Sequence, residues 1–417
     1  MPKSDLIFNV IDWKDKDDFE DEDSESNMFT SSYVIEAYGR TEEGKSVCLK
    51  ISGYTPYFFV EIPRDWKDAS IKRFIDYVKT KVYGKHVNNL IAYDVVKKHK
   101  LYGFTAGKKF KFLRLVFSTN ESMRKYSWIF MSKHKIPGIA PNFTEFKLYE
   151  SNIPPMLRFM HIKNLNSCGW IKVKKDKYIK GSKREFNSDI VAEAEWDDIE
   201  NYDNTSISKL RILSYDIECT SGDGSFPQAN RDTDKIIQIG STFSYNGEED
   251  CYFKHIITLG SCDEIEGAEV ESYDTEEEVL LAWQKLVIRM DPDIITGYNI
   301  FGFDNKYVYD RANYLGVNDR FGYLSRIKNL HCEFVDTQLS SSALGDNKIR
   351  YYNMNGRVQI DLMKVVMKDY KLNSYKLDSV AEEFLNGKVI KLDGINLEVD
   401  STRDLKVGSY LKLVNSE

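Results

Sequence analysis

Hydrophobic and polar residues alternate in short runs along the first half of the chain, a pattern typical of β-strands with one buried face. Runs rich in aromatic and β-branched residues predict strands over 32–38, 46–51, 57–62, 112–117 and 169–173. Apolar residues at helical spacing predict a helix over 67–82, with Ile71, Phe74, Ile75 and Val78 on its buried face. The acid-rich stretch 15–25 has too few apolar residues to bury a face, so we expect it to be flexible.

The pattern changes after a polar, acid-rich connector predicted over 188–208. Three further strands are predicted over 210–219, 235–243 and 251–258. A T-x-x-E capping box at Thr275 opens a helix whose apolar face runs to Met290, and a strand over 293–297 and a helix over 303–315 follow. Strands followed by helices predict a mixed-sheet α/β domain. We thus predict an acidic flexible leader over 1–27, a β-rich domain over 28–207 and an α/β domain over 208–417.

The charge is distributed unevenly along the chain. The formal net charge of −7 arises in the first thirty residues, which hold ten acids against three lysines. Residues 97–135 carry eleven Lys and Arg against one acid, and 172–184 are also basic. Aromatic residues lie among the bases of 97–135: Tyr102, Phe104, Phe110, Phe112, Tyr126, Trp128 and Phe130. This composition suits a surface that follows phosphates and stacks bases, and it equally suits a solvated face above ordinary strand aromatics.

The six cysteines occur singly, with no C-x-x-C pair and no His pair at zinc spacing, so we expect buried or inert thiols. No apolar run approaches the ~20 residues of a membrane-spanning helix. The first residues lack the layout of a secretory signal. These features favour a protein of a reducing, intracellular compartment, with no membrane partner.

Two carboxylates share one face of a predicted strand. In the motif D-I-E, Asp216 and Glu218 are two residues apart, so strand alternation directs both to the face opposite Ile217. Paired carboxylates repel each other unless a cation lies between them, and hard divalent ions prefer oxygen ligands. The alternative is an ordinary strand edge with acids facing water.

A second acid follows the predicted strand at 293–297. A turn containing Gly297 leads to Asp304, at the start of the next predicted helix. The helix dipole favours a carboxylate at that position, and the turn can direct it across the sheet. The alternative is that Asp304 only caps the helix.

At these residues the chain resembles the family B DNA polymerases, of the delta type. D-I-E followed by G-Y-N-x-x-x-F-D is similar to the first two exonuclease motifs of that family. Further similarity to the amino-terminal and exonuclease regions covers residues 8–13, 53–59, 149–152, 157–160, 168–170, 356–361 and 370–381. Residues 340–347 and the helix expected after them are most similar to the versions of large double-stranded DNA viruses.

The resemblance implies a ribonuclease H-like exonuclease domain that removes mismatched 3′ nucleotides with two Mg²⁺ or Mn²⁺ ions. In that scheme Asp216 bridges both ions, Glu218 binds one ion and positions the attacking water, and Asp304 holds the second ion. Tyr298, Asn299 and Phe303 would line the cleft for the primer end. The implied partner is DNA, as primer-template and single strand, at a nuclear or cytoplasmic viral replication site.

One expected motif is missing. The family carries a further Tyr and Asp in a Y-x-x-x-D pattern, and no Tyr after Asp304 has Asp four positions later. Tyr375 with Asp378 has one spacer too few, and His331 with Asp336 matches only a related exonuclease class, so we reject both pairs. Residues 389–417 resemble a strand-rich insertion, and no polymerase palm domain follows.

Two functions remain open from the sequence. The chain is expected to be the front part of a replicative DNA polymerase, either truncated, completed by a second chain that supplies the palm, or part of a longer sequence. Alternatively, it binds single-stranded DNA without cutting it, because three acids hold one metal poorly. Nothing in the sequence indicates a sliding-clamp partner.

Overall fold

The structure is a computed structural model that describes residues 4–19, 31–101, 103–341 and 345–401, together with 405, 407–409, 411 and 413. The strands of the first half are β1 (Leu6–Phe19), β2 (Ser31–Arg40), β3 (Ser46–Ser52), β4 (Tyr57–Glu61), β5 (Leu90–Lys98), β6 (Phe110–Phe117), β7 (His134–Ile136), β8 (Ala140–Thr144), β9 (Leu148–Tyr149), β10 (Trp170–Val173), β11 (Tyr178–Lys180), β12 (Ile190–Glu195) and β13 (Glu200–Tyr202). The helices of this half are α1 (Asp68–Lys79), α2 (Asn120–Ile129) and α3 (Pro155–Ile162), with short 3₁₀ helices at Gly84–Val87 and Trp196–Asp198.

The strands of the second half are β14 (Arg211–Cys219), β15 (Ile236–Tyr245), β16 (Phe253–Leu259), β17 (Glu269–Tyr273), β18 (Ile294–Gly297), β19 (Phe334–Ser341), β20 (Gly345–Tyr352), β21 (Val358–Asp361), β22 (Val389–Asp393) and β23 (Asn396–Val399). Its helices are α4 (Glu276–Met290), α5 (Asp304–Tyr314), α6 (Asn318–Phe321), α7 (Leu362–Asp369) and α8 (Leu377–Phe384). In the described part of the chain, no helix is both long and apolar enough to cross a bilayer.

Seven strands form the first sheet, in the order β11-β12-β3-β2-β1-β10-β13. Strand β1 lies inside this sheet, antiparallel to β2 on one side and to β10 on the other. The predicted leader over 1–27 is therefore wrong for residues 6–19, and residues 20–30 lie outside the described part. The connector predicted over 188–208 is also wrong, because β12 pairs with β3 and β13 pairs with β10.

The acids of β1 are ordered because each has a partner in the fold. Asp17 accepts hydrogen bonds from the backbone N–H groups of Asn120 and Glu121, both at 2.8 Å, at the first turn of α2. The Tyr33 hydroxyl donates to Asp15 at 2.8 Å. A helix N-terminus favours negative charge, so these contacts offset the repulsion expected from the composition. Local charge alone could not reveal these distant partners.

A smaller four-stranded sheet, in the order β5-β6-β4-β9, carries α1 and α2 on one face. Most of the aromatic residues in the basic stretch 97–135 belong to this fold. Phe112, Tyr126 and Phe130 are buried, and Lys100 lies 4.0 Å above the Phe110 ring. The structure thus favours ordinary strand and helix aromatics under a solvated face for most of this stretch. Phe104 and Trp128 are exposed, and Tyr102 lies outside the described residues.

Six strands form the sheet of the second half, in the order β17-β16-β15-β14-β18-β21. Strands β14, β15 and β16 are antiparallel, whereas β18 runs parallel to β14 and β21 runs parallel to β18. The apolar face predicted for α4 packs on this sheet through Val279, Leu280, Trp283, Leu286 and Val287. The mixed α/β prediction is confirmed.

The region after α6 forms a hairpin and a further strand before the next helix. Strands β19 and β20 pair as an antiparallel hairpin through Tyr352, and the helix that follows 340–347 is α7, after strand β21. Phe334 stacks on Tyr309 of α5 with ring centroids 4.1 Å apart, and Tyr352 is buried in the same core. The hairpin therefore packs on α5 and on the core of the six-stranded sheet.

Buried charges join the two halves of the molecule. Arg40 of β2 donates to the Asp293 carboxylate and, at 2.7 Å, to the backbone carbonyl of Asp291. Arg326 and Arg357 each donate at 2.9 Å to Asp291 Oδ1. All three arginine side chains are fully buried. The cluster holds three cations and two anions, so each carboxylate contacts more than one guanidinium and one positive charge is left over.

Candidate functional site

Strand β14 presents the D-I-E motif as its alternation predicts. Tyr215 and Ile217 are buried against the core, whereas Asp216 and Glu218 are exposed on the opposite face. The Tyr215 hydroxyl donates to the side-chain carbonyl of Asn305 on α5. This contact fixes α5 against the buried face of the strand that carries the two acids.

The turn between β18 and α5 brings a third acid to this strand. Asp304 is 3% exposed, and its Oδ1 accepts a hydrogen bond from the Ile217 backbone N–H at 3.3 Å. Burial, together with the negative charge of Asp216, raises the pKa of Asp304 to about 7. Asp304 therefore reaches across to β14 instead of capping its own helix, and it forms one crowded carboxylate group with Asp216.

Two features of the backbone make this turn possible. A Cβ on Gly297 would lie 2.6 Å from the Tyr215 carbonyl oxygen, so only glycine allows β18 to end this close to β14. Asn299 adopts a left-handed conformation with a φ of 65°. That conformation is uncommon outside glycine, and asparagine tolerates it better than most residues.

Asp361 holds the turn in place, a role that the sequence analysis missed. The carboxylate is 2% exposed and accepts hydrogen bonds from the backbone N–H groups of Asn299 at 2.8 Å and Phe301 at 3.0 Å. It also accepts one from Met363 N at 2.9 Å, at the start of α7. The resemblance at 356–361 included Asp361 without a role, because the turn lies about sixty residues earlier in the chain.

A cavity of about 660 Å³ opens beside Asp216. Its lining residues are Asp216, Tyr298, Asn299, Met363, Tyr375, Lys376 and Leu377. The Tyr298 hydroxyl donates to the backbone carbonyl of Tyr375 at 2.6 Å, which links the turn to the segment before α8. Aromatic and apolar side chains thus lie next to the carboxylates, a combination that suits a nucleobase beside its phosphate.

The remaining predicted residues are placed as follows. Glu218 is exposed on the same face as Asp216. Phe303 does not line the cavity; its ring packs against Phe226 and Tyr307, with centroids 5.1 Å and 5.2 Å away. Asp216, Tyr298 and Asn299 therefore line the cavity and Asp304 lies next to Asp216, whereas Phe303 lies outside the cavity.

The two rejected pairs are not assembled as catalytic pairs. Asp378 is exposed in the first turn of α8, although Tyr375 itself lines the cavity. Asp336 lies on β19, where it pairs with Arg350 at 3.2 Å, and His331 Nε2 lies 2.9 Å from the Asn318 carbonyl oxygen. Neither Asp336 nor His331 lines the cavity beside Asp216.

Comparison with known proteins identifies relatives of this chain. The family profile described as DNA polymerase family B, exonuclease domain, matches residues 146–380. The chain is 35% identical to a DNA polymerase of Acanthamoeba polyphaga mimivirus, over 92% of this chain and 26% of that protein. It is 33% identical to the DNA polymerase delta catalytic subunit of Dictyostelium discoideum, over 84% of this chain and 32% of that protein.

A solved structure supports the fold. The family B DNA polymerase from the archaeon Pyrobaculum calidifontis is similar with a TM-score of 0.58 and 21% identity, over 91% of this chain and 39% of that one. The chain thus spans less than half the length of these relatives. The match of the family profile to more than half of the chain, together with the carboxylate group on a ribonuclease H-like sheet, shows that this chain belongs to the family B DNA polymerases and carries their exonuclease domain.

Proposed function

We propose that this chain is the front part of a replicative DNA-directed DNA polymerase and carries most of a 3′-to-5′ proofreading site. The observation that carries the proposal is the buried Asp304, which bonds to the Ile217 backbone on β14, next to Asp216. A buried carboxylate with its pKa raised to about 7 is unfavourable at neutral pH unless a cation compensates for it. The proposed substrate is the mismatched 3′ end of a DNA strand.

The donor set fits hard divalent ions. Asp216, Glu218 and Asp304 offer only carboxylate oxygens, the ligands that Mg²⁺ and Mn²⁺ prefer. These three side chains would hold the ions, two in the complete site. When bound, the ions supply an activated water and stabilise the leaving oxygen in phosphodiester hydrolysis. In this proposal Asp304 gives up any proton near neutral pH before it serves as a ligand.

The protein residues around the carboxylates position the strand. Tyr298, Met363 and Leu377 line the cavity beside Asp216, so an unpaired terminal base would bury its face there. Asp361 fixes the turn that carries Asn299. This holds the cavity wall in a constant position relative to Asp304. Stacking recognises every base, which suits an editing site that must accept any mismatch.

A second candidate function is binding of single-stranded DNA without cleavage by the residues of this sequence. With three acids, the isolated chain would bind single-stranded DNA and cut it poorly or not at all. We place this action at sites of DNA replication inside cells, nuclear or viral.

A nuclease assay separates the two candidates. The purified chain is incubated with Mg²⁺ or Mn²⁺ and a labelled single strand, beside Asp216→Ala and the matched control Glu266→Ala, an exposed acid on a loop of the same domain. Degradation by the wild type and the control, lost in Asp216→Ala, would establish cleavage and exclude the binding-only candidate. Binding without degradation in all three proteins would support the binding-only candidate for the isolated chain.

A further inference from the structure

A second group of metal-ligand residues lies at the outer edge of the six-stranded sheet. His255 on β16 faces Glu269 on the parallel strand β17, and Glu271 follows two residues later on the same face. Among the residues that the structure describes, these three form a group whose ligand atoms all lie within 4.8 Å of one another. The group therefore combines one imidazole and two carboxylates.

This group is separate from the proposed exonuclease site. The strand register places His255 in a row with Ser241 and Tyr215, whereas Asp216 pairs with Gly240 in the next row. Neighbouring rows point to opposite faces of a sheet, and β16 lies two strands, about 10 Å, from β14. His255 thus points toward the α4 side of the sheet, away from the exposed carboxylates.

The imidazole is buried without a hydrogen bond. His255 is 1% exposed, and neither ring nitrogen has a hydrogen-bond partner. Buried polar atoms nearly always have a hydrogen-bond partner, so the lack of one at both ring nitrogens of His255 needs an explanation. Its Nε2 points to two carboxylate oxygens, at 3.4 Å from Glu271 and 3.7 Å from Glu269.

The 3.7 Å separation from Glu269 exceeds a hydrogen bond, and the 3.4 Å separation from Glu271 is at the outer limit of one; both are close to the spacing of two ligands in a coordination shell. A nitrogen–oxygen hydrogen bond spans about 2.7–3.2 Å. Two ligands of a tetrahedral Zn²⁺ ion, each bonded at about 2.0–2.1 Å, lie roughly 3.3–3.4 Å apart. The two separations from His255 Nε2 are close to this value, and all three ligand atoms lie within 4.8 Å of one another, so side-chain shifts would bring them into bonding range.

Neighbouring residues orient the two carboxylates. The Tyr273 hydroxyl donates to Glu271 Oε2 at 2.8 Å, which leaves Oε1 directed at the ring. Arg289 at the end of α4 lies 3.7 Å from Glu269 Oε1, but its side chain is 53% exposed and can turn to solvent. Glu269 and Glu271 are partly exposed, so water can reach the fourth position of an ion.

We propose that His255, Glu269 and Glu271 bind a divalent transition-metal ion, with Zn²⁺ as the best match and water as the fourth ligand. Imidazole suits Zn²⁺, whereas Mg²⁺ prefers an all-oxygen octahedral shell. The bound ion links the edge strand β17 to β16. This link stabilises the edge of the exonuclease domain, since an ion that binds only the folded state favours folding.

The test uses the full chain with Asp216→Ala and Asp304→Ala in the background, so that Glu218 is the one carboxylate of the proposed exonuclease donor set that remains. Calorimetric titration with ZnCl₂ is expected to show one equivalent of binding, and CoCl₂ is expected to give the strong visible absorption of a tetrahedral ion. Zn²⁺ is also expected to raise the thermal unfolding midpoint. His255→Gln is expected to reduce the affinity by about tenfold or more.

Two further variants keep the test decisive if His255→Gln does not fold. Glu271→Gln and Glu269→Gln keep side-chain size at partly exposed positions, and each is expected to weaken Zn²⁺ binding and abolish the tetrahedral cobalt signal. Glu266→Gln, on the preceding loop, is the matched control and is expected to bind normally. The proposal would be overturned if the protein did not bind Zn²⁺, or if Zn²⁺ binding were unchanged in both glutamine variants. Either result would mean that His255 and the two carboxylates form only an ion pair.

Discussion

The crowded carboxylates of the exonuclease site should make the metal-free protein less stable as the pH rises. Asp304 is almost fully buried, and its pKa is raised from 3.8 to about 7 by burial and by Asp216. A carboxyl group with a raised folded-state pKa holds its proton more tightly in the folded state. Folding stability is therefore lost as the pH climbs from about 4 to about 7, and the loss is complete above that range.

The substitution Asp304→Asn removes this ionisation. The amide retains a carbonyl oxygen that can accept the Ile217 N–H bond at 3.3 Å. A shift of about three pKa units corresponds to roughly 4 kcal/mol, at 1.36 kcal/mol per unit, as an upper bound for this pair. We expect Asp304→Asn to be more stable than the wild type near pH 8 by up to this amount, with the difference vanishing near pH 4.

Urea unfolding measured with chelator at several pH values checks this expectation. The difference between variant and wild type is the useful quantity, since it cancels the other titrating groups. Glu218→Gln, on the same exposed face of β14, is the control and should change stability by no more than about 0.5 kcal/mol. Mn²⁺ should stabilise the wild type much more than Asp304→Asn. A difference between the two proteins that stays constant from pH 4 to pH 8 would refute the reasoning.

Three further predictions follow from buried contacts. Asp293→Asn leaves three buried arginines with one carboxylate, so it should lower the free energy of unfolding in urea by about 3–5 kcal/mol. Arg40→Met leaves two buried arginines with two carboxylates and should lower it less. Equal losses in the two variants would contradict this reasoning from the charge balance. Gly297→Ala should destabilise the protein by about 1–3 kcal/mol in a thermal scan, because the new Cβ meets the Tyr215 carbonyl oxygen. At Gly240 a Cβ would meet no other atom, so Gly240→Ala should change the stability little in the same scan. Asp361→Ala removes the acceptor for three backbone N–H groups, so the affinity for a labelled single strand should fall. Asp361→Asn keeps one acceptor oxygen and should restore part of the affinity. Unchanged binding in both variants would exclude a positioning role for Asp361.

Local patterns predicted the elements around the exonuclease site well. The alternation in D-I-E placed Asp216 and Glu218 on one exposed face, and the capping box at Thr275 opens α4 with both of its hydrogen bonds present. These features depend on residues a few positions apart, where strand or helix geometry fixes their relation. The same reasoning was wrong for residues 15–19, because Asp17 has its partners at the start of α2, about a hundred residues away.

Motifs and periodicity were enough to predict the family and the mixed α/β class and to propose three carboxylates for the candidate site. The folded structure was needed to show that Asp304 bonds to the backbone of β14 and that Asp361 holds the turn. It alone also brought His255 against Glu269 and Glu271 on a parallel neighbouring strand. Periodicity and motif spacing encode which way a side chain points within its own element. Which elements become neighbours depends on strand order and register, and these are decided by the packing of the whole chain.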